Sequence, residues 1–135
     1  MTMQSLDHFL VYATDLDATK DFYCNVLGLT EGARPPFEFP GYWLYIDDKA
    51  VVHLAGDDGS DTFEQYLGKR PNNVGEHTGA LDHIAFRCGD FEDVRARFDE
   101  TNVPYTHRVV PAFDLQQLFV SDPDGVTIEL NFFTH

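Results

Sequence analysis

Basic residues are scarce in this chain, and so are cysteines and long apolar stretches. Nine Lys and Arg stand against 23 Asp and Glu, which gives a formal net charge of −14 at pH 7. Because binding to phosphate groups needs clustered basic side chains, the composition argues against nucleic acid and anionic membranes as partners. No run of about 18 apolar residues occurs, and the first residues lack a basic region followed by an apolar stretch, so we expect a cytoplasmic protein. The two cysteines form no CxxC pair, which predicts free thiols.

What the chain does contain is an internal repeat. Leu6-Asp7-His8 and Leu81-Asp82-His83 each precede an apolar run, and the two histidines are 75 residues apart. Asp15 and Asp90, also 75 apart, each stand where an N-cap carboxylate would open a helix. Each half therefore predicts a strand, a helix and then two or three further strands.

The predicted organisation is one domain built from two modules. The modules span residues 5–55 and 81–133, joined by a linker at 56–80 within which residues 62–67 form a short helix. Each module has a single amphipathic helix, so we expect the two to share a sheet or pack as a pair. The later strands are predicted at Tyr42–Ile46, Ala50–Leu54, Tyr105–Val110, Gln116–Val120 and Val126–Phe132, with a strong turn signal in the Asp-Pro-Asp-Gly sequence before the last one.

Four side chains capable of binding a metal lie on these strands. Alternation along each strand sets them on the face opposite the aliphatic residues. His8 matches His83 in the repeat, and His53 nearly matches Glu129, with an offset of 76. A single histidine on a strand is more often a hydrogen-bonded structural residue, but the repetition favours ligation. We therefore predict a divalent metal ion (Zn, Ni, Fe or Mn) bound by His8, His83 and Glu129, with His53 as the fourth ligand.

Glu129 is the strongest single indicator of such a site. It stands between Ile128 and Leu130 in an otherwise apolar strand, and an unpaired carboxylate facing a core would be costly. We predict that it is both a metal ligand and the catalytic base.

Several other residues are candidates for contact with a substrate. Arg87 shares the face of His83 and either binds an anionic group or pairs with an acid. Tyr12 is either a proton donor or a pocket wall. Gln116 and Gln117 alternate, so that one of them faces the site. The substrate-binding residues predicted from the sequence are Tyr12, Arg87, Trp43, Gln116 and His107.

Three stretches of the chain resemble the vicinal oxygen chelate superfamily, which includes glyoxalase I, methylmalonyl-CoA epimerase, fosfomycin and bleomycin resistance proteins and extradiol dioxygenases. They are LDHFLVYATDLDATKDFYCNVLGL (Leu6 to Leu29), LDHIAFRCGDFEDV (Leu81 to Val94) and FVSDPDGVTIEL (Phe119 to Leu130). The resemblance implies an α+β fold of two βαβββ modules, whose strands form a curved mixed-sheet cup around a metal held by the first and last strands of each module. It also implies a homodimer.

The resemblance implies a metal-dependent enzyme and leaves its reaction open. The favoured interpretation is a lyase or isomerase acting on a small substrate that chelates the metal through vicinal oxygens. Glu129, or a metal-bound hydroxide, would remove a proton next to a carbonyl. The alternatives are an extradiol-type ring-cleavage dioxygenase using Fe(II) and a non-catalytic drug- or metabolite-binding resistance protein. Glyoxalase I usually carries Glu at the position of His53 and Arg at that of Tyr12, so these departures argue against a glutathione hemithioacetal substrate.

Overall fold

A computed structural model describes residues 4–67, 78, 81–111 and 114–133 of the chain. The chain divides into two compact units, Met1–Val74 (unit 1) and Gly75–His135 (unit 2). The predicted linker residues 68–77 and 79–80 lie outside the described part. Among the described residues, no helix has the length and apolar character needed to cross a membrane.

Unit 1 contains one four-stranded sheet and two short helices. Its elements are β1 (Phe9–Ala13), α1 (Leu16–Asp21), a π-helical segment (Phe22–Val26), β2 (Thr30–Gly32), β3 (Gly41–Ile46), β4 (Lys49–Gly56) and α2 (Thr62–Leu67). The strand order is β1-β4-β3-β2, with β1 parallel to β4 and the other pairs antiparallel. The predicted helix at 62–67 is confirmed, whereas β2 was not predicted.

The predicted start of the first helical segment is also confirmed. The Asp15 side chain accepts a hydrogen bond from Ala18 N at 3.0 Å, which satisfies one of the free N–H groups of the first turn. Gly28 follows the π-helical segment with φ 84°, a conformation that glycine adopts without steric cost.

Unit 2 repeats this arrangement. Its elements are β5 (His83–Cys88), α3 (Phe91–Glu100), β6 (Thr106–Val110), β7 (Leu115–Ser121) and β8 (Thr127–Phe133). The order is β5-β8-β7-β6, with β5 parallel to β8. Asp90 caps α3 through a bond from Asp93 N at 3.1 Å. The α+β class and the two βαβββ modules predicted from the sequence are thus confirmed, with a separate four-stranded sheet in each unit.

Each unit buries the aliphatic face of its sheet. In unit 1, α1 contacts β1 and β4, and the buried residues include Val11, Leu44, Val52 and Leu54. In unit 2, Leu118, Ile128 and Leu130 are buried, and Phe91 of α3 packs edge-on against Phe132 with ring centroids 5.3 Å apart. Because side chains alternate, the residues between these point to the other face.

The two sheets have equivalent registers. Leu10 of β1 pairs with His53 of β4, and Ala85 of β5 pairs with Glu129 of β8. Leu10 stands two residues after His8, and Ala85 stands two residues after His83. His83 begins β5, whereas His8 directly precedes β1, so the prediction that His8 lies on the strand is off by one residue. In both units the histidine is placed diagonally across from a side chain of the last strand, on the same face of the sheet. We call these faces the His53 face of unit 1 and the Glu129 face of unit 2.

The turn before β8 depends on one buried carboxylate. Asp122 is 5% exposed, and its Oδ1 accepts from Asp124 N and Val126 N, both at 2.8 Å. We expect Asp122→Ala to lower the free energy of unfolding by about 3 kcal/mol, because two backbone donors lose a charged acceptor. Urea denaturation measures this, with Asp48→Ala in an exposed turn as the control. Equal losses in the two variants would contradict this role.

Candidate metal centre

Unit 2 holds a histidine and a carboxylate in direct apposition. His83 is the first residue of β5, and Glu129 lies in the middle of β8 with its side chain 16% exposed. His83 Nε2 is 3.5 Å from Glu129 Oε1, and His83 Nδ1 is 2.8 Å from Asp82 Oδ2. The imidazole thus lies between two carboxylates.

The hydrogen bond to Asp82 decides what the other ring nitrogen can do. A carboxylate only accepts hydrogen bonds, so His83 Nδ1 carries a proton and is the donor of the hydrogen bond to Asp82. In the neutral ring, Nε2 is then a lone pair facing the lone pairs of Glu129. Two electron-pair donors that converge at this distance can share a cation, either a proton or a metal ion. The hydrogen bond to Asp82 and the charge of Glu129 both raise the pKa of His83 above its ordinary value.

Glu129 is itself held by a chain of amides. Asn131 Nδ2 donates to Glu129 Oε2 at 2.8 Å, and Gln117 Nε2 donates to Asn131 Oδ1 at 2.9 Å. Because Glu129 can only accept, Asn131 must turn its nitrogen toward it, and this fixes the orientation of Gln117 as well. These two hydrogen bonds hold Glu129 Oε2 in place, and Oε1 is directed at His83.

Unit 1 carries the second pair, His8 and His53. Their rings stack with centroids 3.6 Å apart and an interplanar angle of 13°. His8 Nδ1 donates to Asp7 Oδ2 at 2.6 Å, which repeats the Asp82–His83 contact and leaves Nε2 as the lone-pair nitrogen. His53 Nε2 lies 3.2 Å from Ala50 O, an acceptor, so that Nδ1 is its free nitrogen.

His53 is the most enclosed member of the four. It is 9% exposed and lies between two rings, since Trp43 stacks on it at 4.0 Å and 10°. Burial, followed by the neighbouring His8, lowers the pKa of His53. A neutral imidazole is the form that binds a metal, so this environment suits a ligand.

The four side chains are therefore of types that bind a divalent ion, and each unit supplies two of them. Each of the three histidines has one nitrogen committed to a carboxylate or a carbonyl, which is the usual way in which proteins orient a metal-binding imidazole. Among the residues that the structure describes, however, no group of three or more His, Cys, Asp or Glu side chains is clustered so as to hold a metal. The four predicted ligands are present as two pairs.

The predicted substrate residues of unit 1 lie on the His53 face. Trp43 pairs with His53 in register. Tyr12 stacks on Phe63 of α2 at 4.9 Å and packs against the buried cluster of Phe39, Ala55 and Phe63. Burial and then the charge of Asp57 raise the pKa of Tyr12. A phenol with a raised pKa gives up its proton less readily, and Tyr12 packs against aromatic rings. Its environment therefore favours the role of a pocket wall over that of a proton donor.

In unit 2, only one of the three predicted substrate residues shares the face of Glu129. Arg87 pairs with Asn131 in register and lies over the ring of Phe133 at 4.2 Å. Gln116 and His107 are on the opposite face, because they pair with Phe132 and Leu118. A hydrogen bond joins His107 Nε2 to Gln116 Oε1 at 2.9 Å, and the His107 ring also contacts Phe91 of α3. The expectation that Gln116 faces the site is therefore corrected: Gln117 does.

Three residues of this arrangement, Asp7, Asp82 and Asn131, had no role in the sequence interpretation, and Gln117 entered it only as the alternative to Gln116. Asp7 and Asp82 orient the histidines, and the repeated Asp-His pair was the signal that could have identified them. Asn131 and Gln117 orient Glu129. Asn131 follows Glu129 by two positions and so shares its face, whereas Gln117 could be separated from Gln116 only by the register of β7 against β8.

Comparison with known proteins identifies the type of fold and its family. Residues 5–130 match the family model described as Glyoxalase/Bleomycin resistance protein/Dioxygenase superfamily. The Escherichia coli protein YaeR, described as uncharacterized, is 30% identical over 95% of both chains. Glyoxylase I 4 of Arabidopsis thaliana is 28% identical over 95% of this chain and 70% of its own. Among solved structures, lactoylglutathione lyase from Agrobacterium tumefaciens has a TM-score of 0.70 at 21% identity, covering 96% of this chain and 94% of that one.

The amide chain can be tested through metal affinity. We expect Asn131→Leu to weaken Zn²⁺ binding by about 10- to 100-fold, because Glu129 loses the donor that holds Oε2. Competition with a chromophoric chelator on metal-free protein gives the affinity. Gln116→Leu is the matched control on the opposite face and should bind as the wild type does. An Asn131→Leu protein with wild-type affinity would remove Asn131 from the site.

Proposed function

Because the chain belongs to the Glyoxalase/Bleomycin resistance protein/Dioxygenase superfamily, we propose that it is a divalent-metal-dependent, glyoxalase-like lyase or isomerase acting on a small substrate with vicinal oxygens. Relatives described as glyoxylase I and lactoylglutathione lyase support a role of this type, at identities of 24–29%.

The observation that carries the proposal is the apposition of His83 Nε2 and Glu129 Oε1 at 3.5 Å. Both atoms are electron-pair donors once His83 Nδ1 has donated to Asp82. A divalent ion between these two atoms would accept electron pairs from both. His8 and His53 occupy the equivalent register positions in unit 1, which supports the same use of the repeat.

We propose His8, His53, His83 and Glu129 as metal ligands. The ion would supply Lewis acidity, which stabilises negative charge developing on a substrate oxygen. Glu129 would remove the proton next to the substrate carbonyl, since it is the only carboxylate of the four. Asn131 keeps one oxygen of Glu129 engaged and leaves the other available. His53, held to a carbonyl through one nitrogen and enclosed by rings, is a poor second base.

The partners proposed with this activity are a small-molecule substrate and a second copy of the chain in a homodimer. Tyr12 and Trp43 would contribute an aromatic wall. Gln116 and His107 keep no proposed contact with the substrate, since they share the face of α3.

Metal content is the direct test of the proposal. Protein purified anaerobically should contain zinc, nickel or cobalt near one ion per chain, and His83→Ala should lose most of it while keeping its fold. His107→Ala is the matched control and should keep its metal. Iron would favour a ring-cleaving dioxygenase, and metal-free protein that takes up no ion would favour a binding protein and contradict the proposal.

Turnover separates Glu129 from His53. In D₂O, the metal-loaded protein should exchange the carbon-bound protons of dihydroxyacetone, which NMR follows. We expect Glu129→Gln to lower this rate at least about 100-fold, because the base is lost. His53→Gln should retain part of the rate and most of the metal, because an amide oxygen can replace imidazole as a neutral ligand. If His53→Gln is as inactive as Glu129→Gln with metal still bound, then His53 has a catalytic role.

A further inference from the structure

Two arginines stand in one transverse row of the unit 2 sheet. The register joins Arg87 of β5 to Asn131 of β8, Asn131 to Gln117 of β7, and Gln117 to Arg108 of β6. Paired residues of neighbouring strands point to the same side of a sheet, so all four side chains lie on the Glu129 face. We call this set the arginine row.

The two arginines are unusual in a chain of net charge −14. On α3, Arg95 pairs with Glu92 at 2.9 Å and Arg97 pairs with Asp93 at 3.5 Å. Within the described residues, the side chains of Arg87 and Arg108 have neither an ion pair nor a hydrogen bond. Both are exposed, so their guanidinium groups are accessible to a ligand.

Arg87 is also held in position. Its guanidinium lies over the ring of Phe133, which belongs to the same face of the sheet, with 4.2 Å to the ring centroid. A cation–π contact of this kind orients the group without using its N–H donors, which stay free for an anion.

The two middle residues of the row are themselves uncharged, and the nearest carboxylate is Glu129, which Asn131 engages through a hydrogen bond. Asn131 and Gln117 each use one amide N–H in the chain that holds Glu129, and each amide nitrogen has a second N–H. Adjacent strands are about 4.8 Å apart, so the Cα atoms of the two arginines are separated by about 14 Å. Arginine side chains are long enough to lean inward over this gap.

The row is also adjacent to the candidate metal centre. Asn131 follows Glu129 by two residues on β8, which is about 7 Å along the strand. A substrate with one end at His83 and Glu129 and an extended body would therefore bring its other end to the arginines.

We propose that Arg87 and Arg108 bind an anionic group, a carboxylate or a phosphate, at the end of the substrate that is distant from its vicinal oxygens. This rests on the proposed function and specifies the substrate class: a chelating small molecule with a second, negatively charged end. The planar fork of arginine matches both oxyanions through paired N–H···O bonds.

Two matched pairs of probes test the proposal by calorimetry on cobalt-loaded protein. The carboxylate pair is 2-oxoadipate and 2-oxohexanoate, and the phosphate pair is 3-phosphoglycerate and glycerate. In each pair both members chelate the metal, and only one has the distal charge. The wild type should bind the charged member of at least one pair about tenfold tighter or more. The pair that shows this preference identifies the anion.

Variants then assign the preference to the arginine row. Arg87→Gln and Arg108→Gln should each reduce it, and the double variant should abolish it, while Arg108→Lys restores only part because it keeps the charge and loses the fork. Arg95→Gln makes the same change in net charge on α3 and should behave as the wild type.

Two results would overturn the proposal: a wild type that binds charged and uncharged probes equally, or a preference that survives in the double variant. Failure of the proposed metal-dependent function can be told apart from failure of this proposal, because in the first case the protein takes up no metal. In that case the same probe pairs on the metal-free protein decide the question, since the arginines act without a metal.

Discussion

Each sheet has one face that must be covered by its helix, and this requirement fixes the direction of every side chain on the strands. In unit 2, Ile128 and Leu130 are buried with 0% and 4% of their surface exposed, so Glu129 between them has to point the other way. A slip of one residue in β8 would bury a carboxylate and expose two aliphatic side chains, which is costly on both counts. The apposition with His83, the amide chain and the arginine row all depend on this one register.

The carboxylates then determine the protonation of their surroundings. Asp7, Asp82 and Glu129 can only accept hydrogen bonds, so each neighbour must present a donor. This places the proton of His8 and of His83 on Nδ1 and turns the nitrogen of Asn131 toward Glu129. The contact with Asp82 thereby leaves the Nε2 lone pair of His83 facing Glu129. The Ala50 carbonyl oxygen also only accepts hydrogen bonds, so it places the proton of neutral His53 on Nε2.

The net charge of the whole chain and the local charge on the Glu129 face of unit 2 have opposite signs. The chain as a whole is acidic, which favours solubility and repels anions at long range. On the Glu129 face, Arg87 and Arg108 reverse that sign locally, and the paired arginines of α3 show that carboxylates are near enough to neutralise basic residues elsewhere. Salt screens the long-range field within about 10 Å at 0.1 M, whereas direct contacts with a bound anion persist.

The sequence by itself determined the two modules, their helices and the equivalence of His53 with Glu129, because repeat spacing and strand alternation are local properties of the chain. It also predicted the face of Arg87, which follows from two alternations after His83. Alternation alone could not choose between Gln116 and Gln117, since consecutive residues of a strand take opposite faces and only the pairing of β7 with β8 says which is which. The contacts of Asp7 and Asp82 depend on side-chain rotamers, and the enclosure of His53 by Trp43 depends on the pairing of β3 with β4. These belong to the tertiary structure, because they join side chains whose distance is set by strand pairing and rotamer rather than by position in the sequence.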